Sequence, residues 1–238
     1  MTIDARTREA KAIEALICDC DGVLIDSEAV AAAVLVRELE ARWPGTNVAP
    51  VVMPLLGQRI ERVLAGAGEA LGRTLTAADV DAIRHVAEAE ARQAPLFPGV
   101  IAALEGVALT KACASNSYTE VVREVLARNG LERFFGERVY CADIVAKPKP
   151  APDVYLAAAQ GLGVAPGACL VVEDSVTGVS AARAAGMTVL GFVGGTHVGG
   201  EAHARELLEA GASEIFDDMT TLPARVAQWL HNTAVGSH

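Results

Sequence analysis

The sequence predicts an α/β fold, a doubly wound parallel sheet with a helical insert after its first strand. Three observations predict it. Short, uniformly apolar runs recur along the chain, as in Ala15-Leu16-Ile17-Cys18 and Cys169-Leu170-Val171-Val172, and strands buried on both faces read this way. Helical patterns alternate with them and end on glycine, at Gly130, Gly163, Gly186 and Gly211, the residue that most easily turns left-handed past a helix end. From Ser27 to Ala94 the alternation stops and only helical patterns remain.

The elements follow in order. Ala15–Cys18 is the first strand. The insert reads as helices over Glu28–Arg42, Gln58–Leu71 and Ala77–Gln93. Thr76 is placed to cap the last of these, with Asp79 three residues on. Pro44-Gly45, Pro50 and Pro54 mark the joints, and Pro95 and Pro98-Gly99 close the excursion. Further strands are expected at Lys111–Ala114, Val139–Cys141, Cys169–Val172 and Val189–Val193, with a weaker one at Glu214–Phe216. Helices are expected at Thr119–Asn129, Pro152–Leu162, Thr177–Ala185 and Glu201–Ala210, the second opening on Pro and Asp. Residues 1–26 and 95–238 are thus expected to form the α/β core, and residues 27–94 a helical cap domain.

Composition narrows the function. The chain has 238 residues, 52% hydrophobic and 21% charged, enough to bury a core and too apolar for disorder. Thirty acidic against twenty basic residues give a net charge of −10. Nucleic-acid binding needs a basic face, so no nucleic-acid partner is expected, and an anionic substrate must be drawn in by local positive charge. Cys18, Cys20, Cys113, Cys141 and Cys169 form no CxxC pair and read as small buried hydrophobes in a reducing compartment. Met1 to Ile13 carries Asp, Arg, Glu and Lys without an apolar core and does not read as a signal peptide. No apolar run reaches the ~20 residues of a membrane span, so a soluble, cytoplasmic protein is expected, with no membrane partner. The sequence is compatible with a monomer and leaves the oligomeric state open.

In open α/β sheets ligands bind beyond the carboxyl ends of the strands. The first strand is followed by Asp19 and Asp21, the second by Ser115, Asn116 and Ser117, the third by Lys147 and Lys149, and the fourth by Glu173, Asp174 and Ser175. Each group alone has a local explanation. Asp-x-Asp makes turns, Ser-Asn-Ser caps helices, Lys-Pro-Lys-Pro makes an extended loop, and Glu-Asp-Ser complements a helix dipole. Their coincidence at four strand ends points to a site. Converging carboxylates repel unless a cation neutralises them, and oxygen-only ligands suggest Mg²⁺. A carboxylate can attack phosphorus, a second can move the protons, and lysine and hydroxyl groups can hold the phosphoryl oxygens. That set suits hydrolysis of a phosphate ester, and Gly22 lets the backbone approach a ligand.

These residues resemble the haloacid dehalogenase superfamily of aspartate-nucleophile phosphatases, whose four motifs occur in order as "DCDGV", "ASNS", "KPAPD" and "VVEDSVTGVSAARAAGM". The resemblance covers roughly Ala15 to Pro223 and implies a Rossmann-like core. "DGVLIDSE" is similar to the subgroup with a helical cap after the first strand, which holds β-phosphoglucomutase and many sugar-phosphate phosphatases. It implies Asp19 as nucleophile and metal ligand, and Asp21 as acid/base and ligand through its backbone carbonyl. Ser115 and Lys149 would hold phosphate, with Asn116 donating to it. Asp174 would bind Mg²⁺, and Glu173 would do so directly or through water. Lys149 is preferred over Lys147 because the family places its lysine directly before Pro-Ala-Pro-Asp. Cys20 is expected to point away.

The mutases carry a His in the first cap helix and an Arg after a cap Gly, and Ala31 and Ile60 stand in those places here. A Mg²⁺-dependent phosphatase acting on a small sugar or sugar-acid phosphate is therefore expected, with a phosphosugar mutase as the alternative. Arg59 is a candidate for the distal end of the substrate. A dehalogenase is disfavoured by Asp21 with Glu173-Asp174, and a non-catalytic binding module by the intact motifs. The histidines show no metal-ligand spacing; His197, in a Gly-rich loop, is not favoured as a site residue. Trp43 and Trp229 read as packing.

Overall fold

Two glycine-free apolar faces on one strand organise the molecule. In β1 (Ala15–Cys18), Leu16 and Cys18 enter one hydrophobic cluster while Ala15 and Ile17 enter another. Alternation into two cores is what a strand covered by helices on both sides requires. The structure, a computed structural model, describes residues 12–56, 60–195 and 200–235.

After β1 the chain forms four helices, α1 (Ser27–Arg42), α2 (Ala49–Val52), α3 (Ile60–Leu71) and α4 (Ala77–Ala91). There follow α5 (Val100–Gly106), β2 (Thr110–Ser115), α6 (Thr119–Arg128), α7 (Glu132–Phe135), β3 (Val139–Cys141) and α8 (Asp153–Leu162). The chain ends with β4 (Cys169–Glu173), α9 (Val176–Ala184), β5 (Thr188–Phe192), α10 (Gly200–Ala210), β6 (Glu214–Phe216) and α11 (Leu222–Val235). All strand pairings are parallel, in the order β3-β2-β1-β4-β5-β6. The order reverses direction at β1, the switch point at which doubly wound sheets open a crevice.

The register sets what meets there. Cys18 pairs with both Cys113 of β2 and Val172 of β4. Asp19 therefore emerges level with Ala114 and Glu173, and three strand ends deliver their next residues to one place.

The expected strands are all present, with β2 one residue longer at each end, so that Ser115 closes the strand. Gly130, Gly163, Gly186 and Gly211 all have left-handed φ. Thr76 forms a full capping box with Asp79. All five cysteines are free and buried, and Trp43 packs into the core of the insert. Two sizeable helices are additions, α5 and α11. They lie against one another, and Val100, Leu104, Leu222 and Val226 join the core on the Leu16 side of the sheet.

Helices α1 to α4 build a third cluster of their own, with Leu35, Leu39, Trp43, Val63, Leu64 and Ile83 buried in it. The chain enters and leaves this unit side by side. Asp26 N donates to Pro95 O at 3.0 Å and Phe97 N to Leu24 O at 3.1 Å, around an antiparallel bridge between Ile25 and Leu96. Among the described residues no helix is long and apolar enough to cross a membrane.

Ile17 is fully buried in the strand that carries Asp19. Ile17→Ala is expected to lower the unfolding free energy by about 2–5 kcal/mol through the cavity it leaves, measured by urea denaturation.

Candidate active site

The ammonium group of Lys149 lies buried at the centre of the strand ends. Its Nζ donates to Asp19 Oδ1 at 2.6 Å, to Glu173 Oε1 at 2.7 Å and to the carbonyl of Ala114 at 2.9 Å. All three of its protons are thus used, and the lysine ties β1, β2 and β4 together. Burial works against its charge, but Asp19 and Glu173 outweigh that and hold it protonated. Lys147, by contrast, is exposed.

Asn116 holds this lysine from outside. Its Nδ2 donates to the Lys149 carbonyl at 3.2 Å, and its Oδ1 accepts from the Lys149 amide at 2.8 Å. The expectation for Asn116 was a contact to phosphate; here its amide positions the lysine loop. Ser115 Oγ accepts the Ser117 amide at 3.0 Å, which leaves its own proton to donate. Ser117 is not a helix cap: its Oγ donates to Asp21 Oδ2 at 2.9 Å. The start of α6 is served instead by Asp143, which accepts from both the amide and the hydroxyl of Thr119.

One carboxylate oxygen from each of Asp19, Glu173 and Asp174 lies within 4.8 Å of the others, and all three residues are buried. Three carboxylates thus face one ammonium. Burial, opposed by Lys149, pushes the Asp19 carboxyl up to about 7. Glu173 is buried too, but Lys149 outweighs this and holds it below the usual carboxylate range. Asp174 is raised by burial and then by Glu173, Asp19 and Glu28. No side-chain hydrogen bond reaches the Asp174 carboxylate from the described residues, although His203 Nε2 lies 2.6 Å from its backbone carbonyl. A buried, under-neutralised, oxygen-only set with one carboxylate lacking a donor fits a small divalent cation.

Two glycines make this crowding possible. A Cβ on Gly22 would stand 1.9 Å from Asp174 Oδ2, and one on Gly178 would stand 1.6 Å from Glu173 Oε1. Gly22 also needs its φ of +75° for the turn after Asp21. Its missing side chain thus serves a neighbouring carboxylate as well as any approach to ligand.

Tyr155 and Gly178 were not singled out in the sequence, and Ser175 was named only among the residues after the fourth strand. Tyr155 of α8 donates from its hydroxyl to Glu173 Oε1 at 2.8 Å. Ser175 reaches Glu173 Oε2 with its amide and its hydroxyl, each at 3.0 Å, and Gly178 makes the room. A buried tyrosine in an apolar helix needs a partner for its hydroxyl, and that was the one available signal. Arg59 and His197 lie outside the described residues. Cys20 turns into the hydrophobic core, as expected.

The carboxylates, Ser115 and Lys149 line a cavity of about 410 Å³. It shares Asp21, Glu28, Asn116 and Ser117 with a second cavity of about 630 Å³ between the insert and α6. Ala31, Ile60, Arg84, Arg92, Tyr118 and Val121 are among the residues lining the larger space.

A family model described as haloacid dehalogenase-like hydrolase matches residues 13–186. The crystal structure of a haloacid dehalogenase family hydrolase from Deinococcus radiodurans, with bound phosphate and sodium, has 31% identity and a TM-score of 0.77. That likeness covers 92% of this chain and 96% of the other. The β-phosphoglucomutase of Mycobacterium tuberculosis is 39% identical over 126 residues, 52% of this chain and 45% of that protein. The 6-phosphogluconate phosphatase of Escherichia coli is 27% identical over 192 residues, 78% of this chain and 85% of that protein. The chain spans less than half the length of the first curated relatives it matches. A doubly wound sheet with its acidic residues and lysine at the switch point, matched by the family model over most of its length, places this chain in the haloacid dehalogenase-like hydrolase family.

Proposed function

We propose that the protein is a Mg²⁺-dependent phosphatase that hydrolyses a small phosphorylated sugar or sugar acid through an aspartyl-phosphate on Asp19. The observation that carries this reading is the meeting of Asp19, Asp21, Ser115, Lys149 and Asp174 in one cavity that shares lining residues with a larger one. Relatives named as a sugar-acid phosphatase and a sugar-phosphate mutase point to the same substrate class, and a structural relative holds phosphate.

In the first step the Asp19 carboxylate attacks phosphorus and the ester P–O bond breaks. Asp21 gives its proton to the departing oxygen. In the second step Asp21 takes a proton from water as that water attacks the aspartyl-phosphate, which frees phosphate and regenerates Asp19. Ser117 fixes the orientation of Asp21 through Oδ2, leaving the other oxygen for proton transfer. The Ser115 hydroxyl, whose own proton remains to donate, holds a phosphoryl oxygen, and the Lys149 ammonium beside it balances the charge that develops. Mg²⁺, held by Asp19, Asp174 and the Asp21 backbone carbonyl, would neutralise the acidic cluster and polarise the phosphoryl group. Residues 27–94 act as the cap that encloses the rest of the substrate in the larger cavity.

The mutase alternative is weaker. Ala31 and Ile60, which stand where the mutases carry His and Arg, both line the larger cavity. Apolar groups at those places do not grip a bisphosphate while it turns over.

A panel of phosphorylated metabolites tests the reading by phosphate release with and without Mg²⁺. Asp19→Asn is expected to lower kcat at least about a thousandfold, and EDTA should abolish turnover until Mg²⁺ is returned. Conversion of a hexose 1-phosphate to the 6-phosphate, primed by a bisphosphate and without phosphate release, would favour the mutase. Gly178→Ala pushes a methyl group into the Glu173 carboxylate and is expected to destabilise the fold by about 1–3 kcal/mol, read from the shift in melting temperature.

A further inference from the structure

Among the described residues, the two cavities at the strand ends are lined by three cationic side chains, Lys149, Arg84 and Arg92. Two of them are committed. Lys149 gives its three protons to Asp19, Glu173 and the Ala114 carbonyl. Arg84, on α4, lies among three carboxylates, with Nη1 3.1 Å from Glu88 Oε1, Nη2 3.3 Å from Asp81 Oδ1 and Nε 3.8 Å from Glu61 Oε1. Arg92 differs from both. Its backbone is fixed at the end of α4: the amide donates to the carbonyls of Glu88 and Glu90, and the carbonyl accepts from Arg128 Nη2 of α6 at 2.9 Å. Its guanidinium makes no hydrogen bond or ion pair with the described residues. The larger cavity thus has one open cation in its wall, on a main chain that is tied down.

We infer that Arg92 is a specificity-determining residue that takes a carboxylate at the far end of the substrate, so that the ester hydrolysed is the phosphate of a sugar acid and not of a neutral sugar. This rests on the phosphatase reading above. The larger cavity shares Asp21, Glu28, Asn116 and Ser117 with the cavity of Asp19. A molecule with its phosphoryl group at Asp19 extends past these residues into the space that Arg92 lines. Glu28 and Glu88 stand in the same wall, and the chain carries a net charge of −10, so an anionic group is disfavoured there except beside an open cation. A guanidinium presents paired N–H donors that match the two oxygens of a carboxylate. One open positive charge balances one carboxylate, whereas a second phosphoryl group carries about −1.5 to −2 and would be left under-neutralised. Tyr118, 70% exposed, and Ala31, Ile60 and Val121 supply apolar surface for the carbon chain between the two charged ends.

Matched pairs of substrates test this on the purified full-length chain with Mg²⁺. Each pair is an aldonic acid of two to six carbons, phosphorylated at its far carbon, beside the alcohol in which CH2OH replaces the carboxylate. Wild type is expected to favour the acid of at least one pair by about tenfold or more in kcat/KM. Arg92→Gln should cut that acid-over-alcohol ratio at least about tenfold, mainly through a higher KM for the acid, and Arg92→Lys should restore part of it. Arg84→Gln should keep the ratio. A wild-type ratio near one in every pair overturns the inference. So does an Arg92→Gln variant that loses acid and alcohol equally, the mark of a purely structural role at the helix end, and so does a ratio that collapses in Arg84→Gln but not in Arg92→Gln. Phosphate release from p-nitrophenyl phosphate but from no pair overturns the inference alone, and release from neither overturns the phosphatase reading with it.

Discussion

The structure turns on one buried ammonium group. Lys149 comes from a loop beyond β3, yet its Nζ is held by Asp19 after β1, by a carbonyl of β2 and by Glu173 at the end of β4. A charge in that position is tolerable only because its three protons all find acceptors, two of them ionised. Once it is there, the neighbouring carboxylates acquire unequal characters. Glu173 is held ionised and Asp19 is drawn between burial and the lysine, while Asp174 is left under-neutralised. A set of chemically similar acids is thereby divided into different tasks by the position of one cation.

Much of this was legible in the chain. The apolar runs before Asp19, Ser115 and Glu173 announced strands, and the rule that ligands gather beyond strand ends joined the residues that follow them. Pro148 and Pro150 around Lys149 marked an extended segment. What could not be read were contacts set by side-chain direction. Nothing in the sequence says that the Tyr155 hydroxyl points at Glu173, or that Ser117 orients Asp21 and leaves the cap of α6 to Asp143. Gly178 resembles any helical glycine until its missing Cβ is found against a carboxylate. Helices α5 and α11 escaped for a different reason: α5 is seven residues long, and the two helices are justified by packing on each other as much as by pattern. Arg59 lies outside the described residues.

The site also shows how little room separates a working arrangement from an impossible one. Gly22 and Gly178 sit against two adjacent acids, and a single methyl group at either place would occupy the space of a carboxylate oxygen. Close packing of charged groups, ordinarily avoided in interiors, is obtained by removing carbon from the backbone around them.

The paired crossing between core and insert carries a mechanical consequence. Leu24, Asp26, Pro95 and Phe97 are laced by main-chain hydrogen bonds, and the Phe97 ring meets Phe192 edge-on at 5.0 Å. Arg128 of α6 braces the same crossing by donating to the carbonyls of Arg92, Gln93 and Ala94, and Val30 of α1 packs on the main core, so the insert cannot part from the core at one strand of the crossing without straining the other.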